Sequence, residues 1–290
     1  MNIAILSRGG NLYSTKSLIR AGEARNHTME VLDPDLFQLS VEEGNAMLLY
    51  DDEPIDDLHA VIPRIGASNT YYGSSLVRQF EAMGIFTVVA AESILQSRDK
   101  WTSFQILSKA GVAVPKTVLV NSINFESQLN CFQNEPIIIK LLEGTHGHGV
   151  ILAENAHTAL ATIETLHTTG VKFLLQEFIA ESKGADVRAI VVDGVVVASM
   201  KRQCKEGDFR SNLHRGGSSE VIKLTYEEEH LALRAAKALR LGVCGVDILQ
   251  SQRGPLVLEV NSTPGLEGIE TTTGKNISKS IIGYIERNKR

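Results

Sequence analysis

Gly245-Val246-Asp247-Ile248-Leu249 and Leu256-Val257-Leu258-Glu259-Val260-Asn261 are two apolar runs separated by Gln250-Ser251-Gln252-Arg253-Gly254-Pro255. Their reading decides the fold. Short β-branched runs around a glycine-bearing turn predict an antiparallel hairpin, Val246–Leu249 against Leu256–Val260 across Gln252-Arg253-Gly254. On a strand, side chains at i and i+2 share a face, so Glu259 and Asn261 point the same way, with Asp247 on the partner strand. Three oxygen-bearing side chains converging from two strands suit a hard cation such as Mg²⁺. Register decides the matter. A two-residue turn at Arg253-Gly254 pairs Ile248 with Glu259 and aims Asp247 away, so a metal site requires a three- or five-residue loop, or a bulge. The plain alternative is carboxylates and an amide on a solvated sheet face.

Upstream of this hairpin, a helix is predicted at about Tyr226–Leu241, with Leu231, Ala235, Ala238 and Leu239 on one face. A second hairpin, Val187–Val192 and Val195–Met200, is joined by Asp193-Gly194, a strong two-residue turn signal. Strand-like runs precede it at Lys116–Val120, Ile137–Leu142, Val150–Ala153 and Phe173–Phe178. This half of the chain reads as α+β.

The first hundred residues have another rhythm. Apolar runs at Ile3–Leu6, Glu30–Leu32, Ala60–Ile65 and Ile85–Ala90 alternate with helical stretches ending near Arg25 and spanning Tyr72–Met83 and Glu92–Ala110. Such alternation predicts a parallel sheet covered on both faces. The acidic stretch Asp51–Asp57, with Pro54 inside it, reads as a solvated loop. The expected organisation is a small α/β domain over 1–98 and a larger domain over 99–290.

Composition sets the outer bounds. With 290 residues, 43% hydrophobic and 22% charged, the chain can bury a sizeable core. A net charge of −5 argues against a broad nucleic-acid surface. Three cysteines at unpatterned spacings (Cys131, Cys204, Cys244) argue against a disulfide framework or a zinc site and for a reducing compartment. The opening run is cut short by Arg8 and reads as a buried strand rather than a signal peptide. No run reaches the length of a membrane span, so a cytoplasmic location is expected.

Several motifs carry further chemistry. Ile137-Ile138-Ile139-Lys140 leads into Glu143-Gly144-Thr145-His146-Gly147-His148-Gly149-Val150. A lysine ending so apolar a strand needs an anionic partner or an exit to water, and a glycine-rich turn lets backbone N–H groups approach phosphates. This is not a Walker A loop, because no Gly-Lys-Ser/Thr follows; a purely structural turn is the competing reading. His146 and His148 lack a third ligand and read as a solvated pair. The stretch Lys201 to Gly217 holds five Lys/Arg against two acids, a local +3 suited to carboxylate or phosphate, or else a charged surface loop. Gln176-Glu177-Phe178-Ile179 ends a strand where backbone groups can meet an adenine edge, and Asp186 can accept from ribose hydroxyls. Arg8 and Arg64 follow the first and third strands, at the carboxyl ends where open α/β sheets bind ligands, and are candidate carboxylate binders.

In this order, the motifs resemble the RimK-type glutamate ligases of the ATP-grasp superfamily. The resemblance runs along essentially the whole chain, through Ile3-Ala4-Ile5-Leu6-Ser7-Arg8, Ile62-Pro63-Arg64-Ile65-Gly66, Arg98-Asp99-Lys100, Glu143-Gly144-Thr145, Lys205–Gly217, Gly245–Leu249 and Glu259 through Glu270. It implies an ATP-grasp fold preceded by a small parallel-sheet pre-ATP-grasp domain. It further implies that Lys100 and Lys140 contact ATP phosphates, with Gly144, Thr145, Gly147 and Gly149 folding over them. Glu177 and Phe178 would line the adenine pocket through backbone groups, and Asp186 would sit beside the ribose. Arg210, Ser211 and Asn212 would face the triphosphate, Arg210, Asn212 and Lys140 acting in catalysis. Asp247, Glu259 and Asn261 would hold two Mg²⁺ (or Mn²⁺). Arg8, Arg64 and Arg202 are the candidates for the amino-acid and acceptor carboxylates.

Family members activate a carboxylate as an acyl phosphate, which an amine then attacks. The implied reaction adds L-glutamate by α-linkage to the C-terminal tail of a small-subunit ribosomal protein, or builds poly-α-glutamate, in a homotetramer. Alternatives are a ligase for another amino acid or carrier protein, a phosphotransferase, and a non-catalytic nucleotide-binding regulator. The loop departs from the family pattern at His146 and His148, and Cys204 replaces a residue that is usually small and apolar.

Overall fold

The structure, a computed structural model, describes residues 1–55, 57–121, 125–143, 149–205, 209, 211 and 216–289. The amino-terminal unit begins with β1 (Asn2–Leu6), α1 (Tyr13–Glu23) and β2 (Thr28–Leu32). A small antiparallel sheet follows, made of β3 (Phe37–Glu42), β4 (Asn45–Tyr50) and β5 (Glu53–Pro54). The unit continues with β6 (Ala60–Pro63), α2 (Thr70–Ala82) and β7 (Phe86–Thr87). Strands β2, β1, β6 and β7 pair in that order, all parallel. Ile3, Ala4, Ile5 and Leu6 are wholly buried, as expected for a central parallel strand under helices.

Three expectations are corrected here. The Asp51–Asp57 stretch is not only loop, because Glu53 and Pro54 pair with Tyr50 and Leu49. The strands β3 and β4 have no counterpart in the reading of the sequence, although Phe37, Leu39 and Val41 alternate and Phe37 and Leu48 are buried. The single helix expected over Glu92–Ala110 is two, α3 (Ala91–Arg98) and α4 (Lys100–Lys109). Asp99 interrupts it as an N-cap, its Oδ1 accepting from the Thr102 N–H at 2.9 Å.

The next lobe contains β8 (Thr117–Leu119), α5 (Phe125–Asn130), β9 (Ile137–Leu141), β10 (Val150–Ala153), α6 (Ala156–Thr168) and β11 (Phe173–Glu177). Its four-stranded antiparallel sheet runs β10-β9-β11-β8, and Phe132, Ile137, Ile139, Ile163, Phe173 and Leu175 form a core of its own. Gly149 turns the chain from β9 into β10 at φ +75°, and a Cβ there would lie 2.8 Å from Leu141 Cγ, so glycine is required.

The last lobe is built on β12 (Ala185–Val192), β13 (Val195–Gln203), β14 (Ser218–Val221), α7 (Tyr226–Ala238), β15 (Val243–Ser251) and β16 (Gly254–Asn261), then α8 (Glu267–Thr273) and α9 (Ile277–Asn288). Its antiparallel sheet has the order β14-β13-β12-β15-β16. The Asp193-Gly194 hairpin forms as predicted, both residues at positive φ. Helix α7 starts with a capping box in which Thr225 accepts from Glu228 N and Glu228 accepts from Thr225 N. It buries Leu231, Ala232, Ala235 and Ala236, while Ala238 lies to the side of that face. This lobe shares one continuous core with the amino-terminal unit, so the lobe carrying Lys140 is packed separately from the one carrying Asp247. Among the described residues, no helix is long and apolar enough to cross a membrane.

Candidate active site between two lobes

The deciding hairpin turns tightly, pairing Ser251 with Gly254 across Gln252-Arg253. That register runs through Ile248 opposite Val257, and unaltered it would aim Asp247 at Leu258. The register shifts at this point, Leu258 is the extra residue, and Asp247 stands directly opposite Glu259. The bulge therefore supplies the alignment that a metal site requires. Gly245 lies opposite Asn261 and Arg188 of β12 lies opposite Asp247, so one sheet face carries a row from Arg188 through Asp247 to Glu259.

Asp247 is almost completely buried and held from two sides. Arg188 Nε donates to its Oδ1 at 2.7 Å and Arg188 Nη2 to its Oδ2 at 2.6 Å, while Arg202 Nη2 donates to Oδ2 at 2.8 Å. Burial alone would raise the Asp247 pKa, but the two guanidinium charges outweigh it and hold the carboxyl well below the usual range. Arg202 is equally committed to Asp186, its Nε donating to Oδ1 at 2.7 Å and a second N–H to the other oxygen. The expectation that Arg202 binds a substrate carboxylate is corrected: it is 4% exposed and bonded to three carboxylate oxygens. Asp186 has both oxygens engaged by Arg202. Arg188, which ties the row together, was missed; its signal was the i, i+2 spacing from Asp186 on one strand.

Glu259 opens into the space between the lobes, its side chain 58% exposed and its Oε1 4.0 Å from Arg188 Nη2. The protein walls of the cleft, and next the negative charge of Asp247, raise its pKa. Lys140, at the end of β9 in the other lobe, feels that charge. Burial pushes its ammonium down to about 8, with Glu259 opposing the shift and Lys100 reinforcing it. Lys100 begins α4 and donates from Nζ to the Leu142 carbonyl at 2.8 Å; burial lowers its pKa as well, with Glu259 again opposing. Two ammonium groups thus feel the charge of Glu259 across the cleft.

Asn261 Oδ1 accepts from Thr263 N at 3.0 Å, which fixes the amide beside the row. Two carboxylates and an amide oxygen are hard donors of the kind Mg²⁺ or Mn²⁺ takes, and in this structure both Asp247 oxygens are held by arginines while Glu259 is open. Among the described residues no group of three or more His, Cys, Asp or Glu is placed to hold a metal ion.

The remaining candidates divide. Glu177 Oε1 accepts from Lys116 N at 2.6 Å and from Arg253, and the N–H groups of Glu177 and Phe178 donate to the Lys116 and Pro136 carbonyls. The Phe178 ring meets Phe209 edge-on at 6.4 Å, and Ser211 is buried. Arg64 is half-buried and donates from Nη1 to the Pro264 carbonyl at 2.9 Å, tying the amino-terminal unit to the loop after Asn261. Arg98, also missed, joins the same loop through Thr263 Oγ1 and the other unit through Thr70 Oγ1. Arg8 is exposed and its Nη2 lies 3.5 Å from Ser68 Oγ. Gly144, Thr145, Gly147, Arg210 and Asn212 lie outside the described residues.

The description of a RimK-like ATP-grasp domain matches residues 97–285, and that of a RimK pre-ATP-grasp domain matches residues 1–94. The chain belongs to the RimK-like ATP-grasp family. A probable alpha-L-glutamate ligase of Teredinibacter turnerae is 50% identical over 291 residues, covering 100% of this chain and 97% of its own. One from Maridesulfovibrio salexigens is 48% identical over 289 residues, covering 99% and 96%. The RimK-like fold is also that of the ATP-grasp ligase PsnB, solved with a minimal precursor, Mg and ADP; its TM-score is 0.76 at 20% identity, covering 100% of this chain and 98% of that one. The ATP-grasp architecture with a parallel-sheet unit in front is therefore as expected.

Proposed function

We propose that the chain is an ATP-dependent ligase that joins L-glutamate, by an α-peptide bond, to a carboxyl terminus. In this reading the acceptor is the C-terminal tail of a small-subunit ribosomal protein or a growing poly-α-glutamate chain. The observation that carries it is the bulge-set alignment of Asp247 with Glu259, whose charge bears on Lys140 and Lys100 across the cleft. The names of relatives about half identical over the full chain support the donor amino acid.

The chemistry follows from charge. An acceptor carboxylate oxygen attacks the γ-phosphorus of ATP, ADP leaves, and an acyl phosphate forms. The uncharged glutamate amine then attacks the acyl carbon, inorganic phosphate leaves, and the amine loses a proton. Lys140 and Lys100 hold phosphate oxygens during the first step, where developing charge is best met by fixed cations. Arg210, Ser211 and Asn212 would face the triphosphate, Arg210 and Asn212 acting with Lys140 on the transferred group. The loop of Gly144, Thr145, Gly147 and Gly149 would cover it, with Glu177 and Phe178 at the adenine. Asp247, Glu259 and Asn261 would hold two Mg²⁺ or Mn²⁺, which neutralise phosphate charge when bound. A homotetramer belongs to the same reading.

ADP release with ATP and Mg²⁺, measured against each of the twenty amino acids and followed by mass spectrometry, tests the proposal. Glutamate-dependent release with a ladder of added glutamyl units is expected. Release with a different amino acid overturns the specificity, and phosphorylated product without an amide overturns the ligase.

Lys140 gives the site a pH response. With its pKa near 8 in the free protein, the cationic fraction falls as pH rises through that value. ATP affinity is expected to drop by about tenfold above this point, as one charged hydrogen bond is lost. Lys140→Arg keeps its charge and should flatten the titration between pH 7 and 9; an unchanged slope would remove Lys140 from the phosphate.

A further inference from the structure

A cleft of about 540 Å³, separate from the site above, lies between α1 and the start of α9, with α8 at its end. Its walls carry Arg20, Arg25, Lys275 and Lys279 against one acid, Glu270. In a chain of net charge −5 this is a concentrated positive patch. Glu270 does not balance it toward solvent. Its Oε1 accepts from the Ile277 and Ser278 N–H groups at 2.8 and 3.1 Å and its Oε2 from Ser17 Oγ at 2.9 Å, so the carboxylate is turned inward as a cap on α9. Arg25 pairs with Glu286, and Lys275 Nζ donates to the Val197 carbonyl at 3.1 Å. Arg20 and Lys279 form no ion pair among the described residues and are exposed. Cations flank the cleft on both sides: Arg20 lies on α1 and Arg25 just past its end, while Lys275 precedes the Asn276 cap of α9 and Lys279 lies in its first turn.

We propose that this cleft is an exosite for a carboxylate-rich chain, namely the oligo-α-glutamate tail that the enzyme itself lengthens. The proposal rests on the ligase reading given above. Cations spread along both sides of the cleft match repeated carboxylates better than one compact anion. The floor between them is Ala21, Ala24 and Gly274, which gives a nucleotide base no ring to stack on. Tyr13, the aromatic residue of the cleft, has its hydroxyl against Glu270. Position fits as well. Glu270 is nine residues beyond Asn261, so cleft and site are at most roughly 32 Å apart along the chain. About ten extended glutamyl residues span that distance. Short products would leave the exosite empty, and longer ones would be retained.

Anisotropy of fluorescein-labelled deca-α-L-glutamate, titrated with the full-length protein in the absence of ATP, tests the cleft directly. Lys279→Glu places an acid at the third residue of α9, behind the Asn276 cap, where it favours the helix. Arg20→Gln removes a charge from an exposed helix position. Each is expected to keep the melting temperature and to weaken decaglutamate binding by roughly fivefold or more, the effect shrinking as salt rises. The glutamate ladder made by either variant should lose its longest members. Equal affinity of wild type and both variants, no binding at all, or equally tight binding of inorganic pyrophosphate at the same residues would each overturn the exosite. Failure of the wild type to make any ladder would instead overturn the ligase reading, while the binding titration would still report on the cleft.

Discussion

Replacing Arg202 by Met is expected to destabilise the protein by about 3–5 kcal/mol, because it leaves buried charges without a partner. Arg202 donates to both oxygens of Asp186 and to one of Asp247, and all three side chains are under 5% exposed. Asp247 keeps Arg188, but Asp186 is left with a buried carboxylate and no counter-ion among the described residues. The cost is set by desolvation more than by the attraction lost. An Asp186→Leu, Arg202→Met double substitution, which removes both charges and keeps side-chain bulk, should therefore recover more than half of the loss. Acid exposes the same network. A carboxyl held below its usual pKa stabilises the fold above the unfolded value and ceases to do so as pH falls through the folded one, so Asp247 contributes at neutral pH and fails only in strong acid. Urea unfolding of the two variants beside wild type measures these differences; a single-variant loss under about 1 kcal/mol, the ordinary value of an exposed pair, would show that water reaches the network.

Much of the fold was legible because its signals are local. The Asp193-Gly194 turn and the apolar strand runs depend on neighbours within a few residues. The small sheet of β3 to β5 escaped because its alternation is mixed with glutamates and its short third strand sits in an acidic run. The candidate site was legible in part. Asp247, Glu259 and Asn261 could be placed on one hairpin, but their alignment hung on a bulge at Leu258, and nothing in Leu-Val-Leu-Glu-Val marks one with Gly or Pro. The Arg188–Asp247 pair joins positions 59 residues apart, and Arg202 reaches Asp247 across β12. Such registers follow from the packing of the whole sheet, so Arg202 read as an open arginine when it is a buried counter-ion. Arg20 and Lys279 face one another only because α9 returns to pack beside α1.

Glu259→Gln is expected to lower turnover by about 10³-fold while leaving the fold intact, the upper end of what loss of one preorganised transition-state contact costs. The side chain is exposed and opens into the cleft, so an isosteric amide leaves no buried charge behind. Asp247 keeps its two arginines, and the sheet keeps its register because the bulge is made by backbone. What changes is charge. A carboxylate facing Lys140 and Lys100 becomes neutral, and the donor set of two carboxylates and an amide becomes one carboxylate and two amides, a much poorer match for a doubly charged hard cation. Loss of the Glu259 charge also removes an attraction that holds the Lys140 ammonium up against burial, so its pKa should fall further. The metal-free ATP affinity of the variant should consequently fall more between pH 6.5 and pH 8 than that of the wild type, a difference that a metal-ligand role alone does not produce. Glutamate-dependent ADP release, Mn²⁺ binding by paramagnetic resonance and metal-free ATP affinity at the two pH values separate these effects. Undiminished turnover removes Glu259 from the site, whereas lost turnover with wild-type Mn²⁺ affinity transfers its role from the metal to the lysines across the cleft.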